Sequence, residues 1–392
     1  MSSQSASRAA TTQVELTTVA LGNLTGVFIL AGATSALFGP LLVTFSHHFH
    51  VSLPVAGEAL SVYFVGALIG VLPGWWGLKR TTGRRVLSAS LIVVAAGTLS
   101  SGFVHSWYLY LACIFLLGLG FGSLDMCLNV LLSRTEEEGR AHRLSFVNAG
   151  YGLGAVICPV LIVVAHPQNF PAIFIGIAVV ALLLTTFNRG VHAPPLGSET
   201  PQRRIGAAST QRWSILLTFV GAYVFYVALE TSASGWMSSQ LQRGGFSTST
   251  GSVVTAAFWV GMTIGRSVGG PLHRILSDTR LVLSGLGLAI VTVLACTSNH
   301  VALVAYPLLG LILASVFPMG LMWYSRLVPF DSDGITIILF FMMAGGVIGP
   351  SGVSLLVSHF GVHVVPFTLA GLALVDLAFF ASVLRFSPVT DP

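Results

Sequence analysis

Asp125 and Asn129 stand four residues apart in the stretch FGSLDMCLNVLLSR, inside an apolar run that begins near Trp107. Residues four apart are neighbours on a helix, so the carboxyl and the amide share one face. A charge at the centre of a membrane helix costs about 2.5–3.5 kcal/mol on insertion scales. A carboxyl tolerates that place when it can be neutralised. One that gains and loses a proton there biases a conformational equilibrium by its differential energy in the two states. Asn148, early in the next run, supplies a second amide that can hydrogen-bond either form of an acid. The three side chains are expected at similar depth, with Asp125 in proton coupling and the asparagines in substrate contact.

Glu230 is the second candidate for proton coupling. It lies in FYVALETSASGWMSSQ, where Ser232, Ser234 and Gly235 are expected to weaken the helix and leave a broken segment lining a cavity. Trp236 and Trp259 are candidate stacking surfaces for a sugar ring. Arg266, inside another run, is read as a gate or structural latch, and Arg84 and Arg85 in a basic connection are read the same way. Glu58 lies near a helix end and can reach water, and Asp376 sits on the last, peripheral run.

These residues need long apolar elements to position them. Of 392 residues, 54% are apolar and only 8% charged, too few charges for a water-soluble chain of this length. Twelve runs of membrane-spanning length follow one another at 19–45, 53–76, 84–104, 107–132, 143–165, 169–188, 213–241, 250–272, 281–297, 301–325, 334–357 and 364–385. The first has no cleavage pattern and is read as a retained helix. All 18 Lys and Arg except Arg243 and Arg266 fall in alternate connections or the termini on the same side. That asymmetry places both termini in the cytoplasm, in the cell membrane, and excludes nucleic acid as the partner of the basic charge.

The two halves of the sequence resemble each other. FVGALIG at Phe64–Gly70 matches WVGMTIG at Trp259–Gly265, LLGL at Leu116–Leu119 matches LLGL at Leu308–Leu311, and Ala149, Gly150 and Gly154 match Ala344, Gly345 and Gly349. The expectation is an all-α integral membrane protein of twelve transmembrane helices in two parallel-repeat six-helix bundles. The first bundle spans 1–188, a cytoplasmic linker 189–212, and the second bundle 213–392. Glycines spaced as small-xxx-small, such as Gly66–Gly70 and Gly261–Gly265, are expected to let helices approach closely. The four cysteines lie in apolar runs without metal-site spacing and read as packing residues. No phosphate-binding loop and no hydrolase motif occurs, so neither an ATP-driven pump nor an enzyme is expected, and no cofactor or metal is implied.

GLGFGSLDMCLNVLL and GRAHRLSFVNAGYGLGAVICP, within Gly118–Pro159, resemble the fucose–galactose–glucose proton symporter family of the major facilitator superfamily. The resemblance implies proton coupling at Asp125 and sugar contact at Asn148. YVALETSASGWM and FWVGMTIGR resemble the same broader group. Two places depart from it: Gly39 precedes Pro40 where the family's sugar symporters carry an acid, and Arg80 in KRTTGRR replaces the aspartate of the usual loop. The reading is a monomeric secondary transporter with alternating access, its partners a small-molecule substrate, protons and membrane lipid. Proton-coupled uptake of a small neutral solute such as a sugar leads. The alternatives are a proton-antiport exporter of drugs or amphiphiles and a non-transporting membrane sensor.

Overall fold

The computed structural model describes residues 15–16, 18–133, 140–188, 191–193, 195, 210–273, 276–329 and 331–386; the side chains of 15–18, 133, 140–148, 192, 267–273 and 332 are not among those described. Every expected apolar run is helical. The helices are α1 (Thr18–Ala36), α2 (Phe38–His48), α3 (Leu53–Arg80), α4 (Gly83–Ser101), α5 (Trp107–Ser133), α6 (Arg140–Ala165) and α7 (Phe170–Phe187). After the linker come α8 (Thr210–Arg243), α9 (Thr248–His273), α10 (Asp278–Ala295), α11 (Asn299–Leu327), α12 (Ser332–Phe341), α13 (Met343–Phe360) and α14 (Val365–Val383). Among the described residues, nine helices are long and apolar enough to cross a membrane. Large apolar side chains such as Leu72, Tyr108, Val164 and Val304 face outward, while Thr34, Ser232 and Asp376 are buried. Lipid as the solvent explains that inversion.

The first run is two helices rather than one. Leu37 interrupts it, because Pro40 has no N–H to donate and its ring crowds the carbonyl four residues back, at Ala36. The run at 334–357 is likewise split, at Met342. The opposite correction applies to the helix of Glu230. It was expected to break beyond that residue, yet α8 continues unbroken from Thr210 to Arg243. Its small residues serve close approach instead. A Cβ at Gly39 would overlap the Ser234 carbonyl, and one at Gly235 would meet Leu60 Cδ2 at 2.5 Å.

The chain forms two compact units. One comprises 1–35, 62–155 and 168–204, and the other 36–61, 156–167 and 205–392. In the first, α3 and α5 meet along a glycine seam: Cβ atoms at Gly66, Gly118 and Gly122 would overlap the carbonyls of Phe115, Tyr63 and Ala67. The second unit repeats the seam between α9 and α11. There Gly310 faces the Phe258 carbonyl, and a Cβ at Gly261 would lie 2.5 Å from the Pro307 carbonyl. Gly150 and Gly154 pack α6 onto Thr25 and Ile29 of α1, as Gly345 and Gly349 pack α13 onto Val224 and Ala228 of α8. The same small residues at matching positions thus make the same backbone contacts in each unit, which is the close approach that small residues allow between membrane helices.

At the basic ends of the helices, β1 (Glu15–Leu16) pairs antiparallel with β2 (Val191–His192), and Gly83 N–H donates to the Ala193 carbonyl at 3.0 Å. The start of the linker is therefore tied to the first unit; most of the rest of 189–212 lies outside the described residues. Lys79 lies over Trp75 at 4.7 Å, Arg80 over Trp76 at 3.7 Å and Arg212 over Trp213 at 5.5 Å. Arg80, in place of the family's acid, thus spends its charge on an aromatic face.

Candidate functional site

Asp125 is half-buried on α5, and Asn129 one turn later is exposed. The Asn129 side chain lies within hydrogen-bonding reach of the Asp125 carboxyl, on the helical face the two share. Its Nδ2 donates to the main-chain carbonyl of Asp125 at 2.9 Å. The Asn148 side chain, the third member of the expected group, lies outside the described residues, as does that of Arg143. Tyr63 from α3 lies within electrostatic reach of Asp125 and of Tyr151 from α6. The α3–α5 seam sets this up. It brings the Tyr63 ring to 5.2 Å from that of Phe121, one turn before Asp125. Tyr63 in turn contacts α1, with its hydroxyl 3.3 Å from Thr34 Oγ1 and 3.4 Å from Ser35 Oγ.

Glu230 belongs to the second unit and stands at mid-helix in α8. Two groups act on it. Arg266 from α9 lies within electrostatic reach, and Tyr226 stands one turn before it on the same helix. The Tyr226 hydroxyl donates to the Leu313 carbonyl at 3.2 Å, which fastens α8 to α11 beside the acid. Arg266 is itself exposed. An acid and a phenol on α8 thus lie within electrostatic reach of an arginine on α9, in membrane helices where ionisable groups are rare and functional by default.

Trp236 and Trp259 are both buried in this unit. Trp236 lies against Gly57 together with Ser354, since a Cβ on that glycine would sit 2.5 Å from both. The ring of Trp259 meets that of Phe258 edge-on at 5.5 Å. Glu58 is exposed, as its position near a helix end suggested. Asp376 is fully buried, and neither carboxyl oxygen has a hydrogen-bond partner among the described residues. Arg84 and Arg85 are exposed in the first turn of α4.

Among the described residues of the second unit are two ion pairs. Arg212 grips Asp331 with both ends of its fork, Nε to Oδ2 at 3.0 Å and Nη2 to Oδ1 at 2.7 Å. Tyr324 O–H and Gly334 N–H donate to the same carboxylate. Arg326 pairs with Asp278 at 2.7 Å and donates to Thr279 Oγ1 at 3.1 Å. Burial alone would raise the Asp331 carboxyl, but the Arg212 guanidinium, the Tyr324 hydroxyl and the Gly334 amide outweigh it and hold the group below the usual carboxylate range. Sequence reasoning passed over the first pair because its members are 119 residues apart. Tyr226 was legible, since it lies four residues before Glu230 on one helical face.

The family model described as the Major Facilitator Superfamily matches residues 24–343. Protein TsgA of Escherichia coli O157:H7 (strain EC4115 / EHEC) is 22% identical over 291 residues, covering 72% of this chain and 73% of the relative. Among solved structures, a D-xylose-proton symporter superposes with a TM-score of 0.77 at 14% identity, over 94% of this chain and 98% of that one. The E. coli fucose:proton symporter superposes at 0.65 with 17% identity, over 95% and 99%. At these identities the solved structures speak for the fold alone.

Proposed function

The chain belongs to the Major Facilitator Superfamily, and from that premise we propose a proton-coupled secondary transporter that takes up a small neutral solute of the sugar class. It is a multi-pass membrane transporter, not an enzyme. In this reading twelve helices form two six-helix halves, 1–188 and 213–392, with both termini and the linker in the cytoplasm and the protein in the cell membrane.

One observation carries the reading. Each unit contains a membrane carboxyl surrounded by groups that suit both of its protonation states. Asp125 has Asn129 and, within electrostatic reach, Tyr63, and Glu230 has Tyr226 and Arg266. Phenols donate to a carboxylate and accept from a carboxylic acid. Arg266 balances ionised Glu230, so a proton arriving at Glu230 frees the guanidinium for another partner. Asn129, Asn148, Trp236 and Trp259 are assigned to solute contact, and Arg266, Arg84 and Arg85 to gating. Hydroxyl and amide groups rather than paired charges around Asp125 favour a neutral, hydroxylated solute. The D-xylose-proton and fucose:proton symporters among its structural neighbours point the same way.

The test is Asp125→Asn, which imitates the protonated carboxyl permanently. In proteoliposomes with an imposed proton gradient, the variant is expected to lose accumulation of the solute while keeping equilibrative exchange. Undiminished accumulation with the normal pH dependence makes Asp125 structural. Proton-driven loss of solute from the side expected to gain it supports the exporter reading instead.

A further inference from the structure

A groove of about 360 Å³ lies between α3, α4 and α5 in the first unit. Pro73 and Gly77 of α3, Ala89 and Val93 of α4, and Leu119 of α5 line it, and Arg85 lines its basic end. Ser90 and Ser123 also face it, but their hydroxyls bond each other at 2.8 Å. The floor therefore asks for no polar partner. Arg85 and Val93 stand about 12 Å apart along the axis of α4, so the groove runs from a charged end into apolar depth. Leu72, Trp76 and Ile92, each next in sequence to a lining residue, are large, apolar and exposed. The groove thus opens towards lipid.

The charged end carries cations without anions. Lys79, Arg80, Arg84 and Arg85 stand close together in KRTTGRR, and none of them is in an ion pair among the described residues. Lys79 and Arg80 lie over Trp75 and Trp76, exposed tryptophans of the kind that mark the headgroup level of a bilayer. Arg84 and Arg85 are exposed in the first turn of α4, and no acid accompanies them in that turn. A helix starts with the positive end of its dipole, so cations placed there are unfavourable until an anion offsets them.

The second unit shows the same place with an anion built in. Continued in register, the match of Phe64–Gly70 with Trp259–Gly265 sets Thr82, Gly83, Arg84 and Arg85 opposite Ser277, Asp278, Thr279 and Arg280. There Ser277 caps α10 by accepting from the Arg280 N–H at 3.3 Å, and Asp278 in the first turn pairs with Arg326 at 2.7 Å. In the first unit Thr82 makes no side-chain cap bond, a glycine stands in the place of the acid, and a second arginine follows it. One unit supplies its own carboxylate at the start of this helix. The other presents two arginines at the mouth of a groove.

We propose that the groove between α3, α4 and α5 binds one anionic phospholipid, with its phosphate on Arg84 and Arg85 and an acyl chain along Ala89, Val93 and Leu119. A guanidinium holds phosphate oxygens through paired N–H bonds, and basic pockets between membrane helices suit anionic headgroups. The apolar floor selects a lipid over a free phosphate, because only a lipid has apolar surface to bury there. The lipid comes from the leaflet at the basic ends, which the proposed topology makes cytoplasmic. The site depends neither on the solute carried nor on Asp125 and Glu230, and it gives the gating role proposed for Arg84 and Arg85 a lipid partner.

The full chain, purified in detergent, is titrated with phosphatidylglycerol or phosphatidylcholine of matched acyl chains, and bound lipids are counted by native mass spectrometry. The parent is expected to bind its first phosphatidylglycerol about fivefold more tightly than phosphatidylcholine. Arg85→Gln is expected to remove that preference, while Arg280→Gln, at the matching place of the second unit, keeps it. Ala89→Phe fills the groove and is expected to weaken both lipids by about fivefold or more. Inorganic phosphate at the lipid concentration is expected to displace nothing. Arg85, Ala89 and Arg280 are all exposed, so the three variants are expected to fold. A parent without preference overturns the proposal, and so does an equal loss in Arg85→Gln and Arg280→Gln, which marks diffuse surface charge. Undiminished lipid binding by Ala89→Phe overturns it as well. Displacement by inorganic phosphate makes the place a soluble-anion site and overturns the lipid as its occupant.

Discussion

Glu230 and Arg266 stand apart in the sequence, one an acid among serines and the other a lone positive charge in an apolar run. The fold makes them neighbours across α8 and α9, with Tyr226 beside them. Arg266 is exposed, so removing the charge of Glu230 leaves no buried charge uncompensated. Glu230→Gln keeps the shape of the side chain and removes only its ability to ionise. It is expected to slow proton-driven transport by about tenfold or more, in line with coupling energies of 1–3 kcal/mol, while the melting temperature of the purified protein stays near that of the parent. Uptake at the parental rate would make the pair a structural one. What could be read beforehand was the acid and the tyrosine one turn away. Arg266 as their partner depended on how α9 is rotated on α11, and no local pattern in the chain states that.

Helix existence was legible at the level of elements, because twelve apolar runs of bilayer length are a strong signal. Helix continuity was not. Pro40 broke a run that was expected to be continuous, while Ser232, Ser234 and Gly235 left α8 intact. Proline removes a donor and clashes, whereas small residues only lower propensity, which neighbouring helices override. The glycine seams can be tested on the same terms. A Cβ at Gly122 would overlap the Ala67 carbonyl, while one at Gly176 in α7 meets nothing within 4 Å. Gly122→Ala is expected to cost about 1–3 kcal/mol by forcing α3 and α5 apart, read as a lower melting temperature. Gly176→Ala should be neutral or slightly stabilising, and equal melting of the two would remove close approach as the role of the seam. The Arg212–Asp331 pair adds a pH-dependent tie. Since the folded state holds Asp331 below its ordinary range, its stabilisation is present above the unfolded carboxylate value and is lost as pH falls through the folded one. Asp331→Asn should therefore melt earlier than the parent at neutral pH, with the gap narrowing in acid. A gap that stays constant with pH would mean that the carboxylate charge contributes nothing.

At the scale of the whole molecule, orientation in the bilayer follows from charge rather than from packing. In the proposed topology sixteen of the 18 Lys and Arg, the exceptions being Arg243 and Arg266, belong to one side of the membrane. Three of them, Lys79, Arg80 and Arg212, lie over tryptophans at helix ends, as side chains do in an interfacial belt. By the positive-inside rule we propose that this side is cytoplasmic. Native cysteines will not confuse a labelling test, since Cys113, Cys127, Cys158 and Cys296 are all buried. Thr297, exposed between α10 and α11, lies on the opposite side from the linker in this topology. Thr297→Cys is expected to react with a membrane-impermeant maleimide on intact cells. Ser198→Cys in the linker should react only after the cells are opened. The reverse pattern would invert the protein in the membrane and turn the proposed uptake into export. Because the proposed topology assigns each helix end to a compartment from the charge bias and the repeat, that single pair of labels tests the direction of the whole proposed transport cycle.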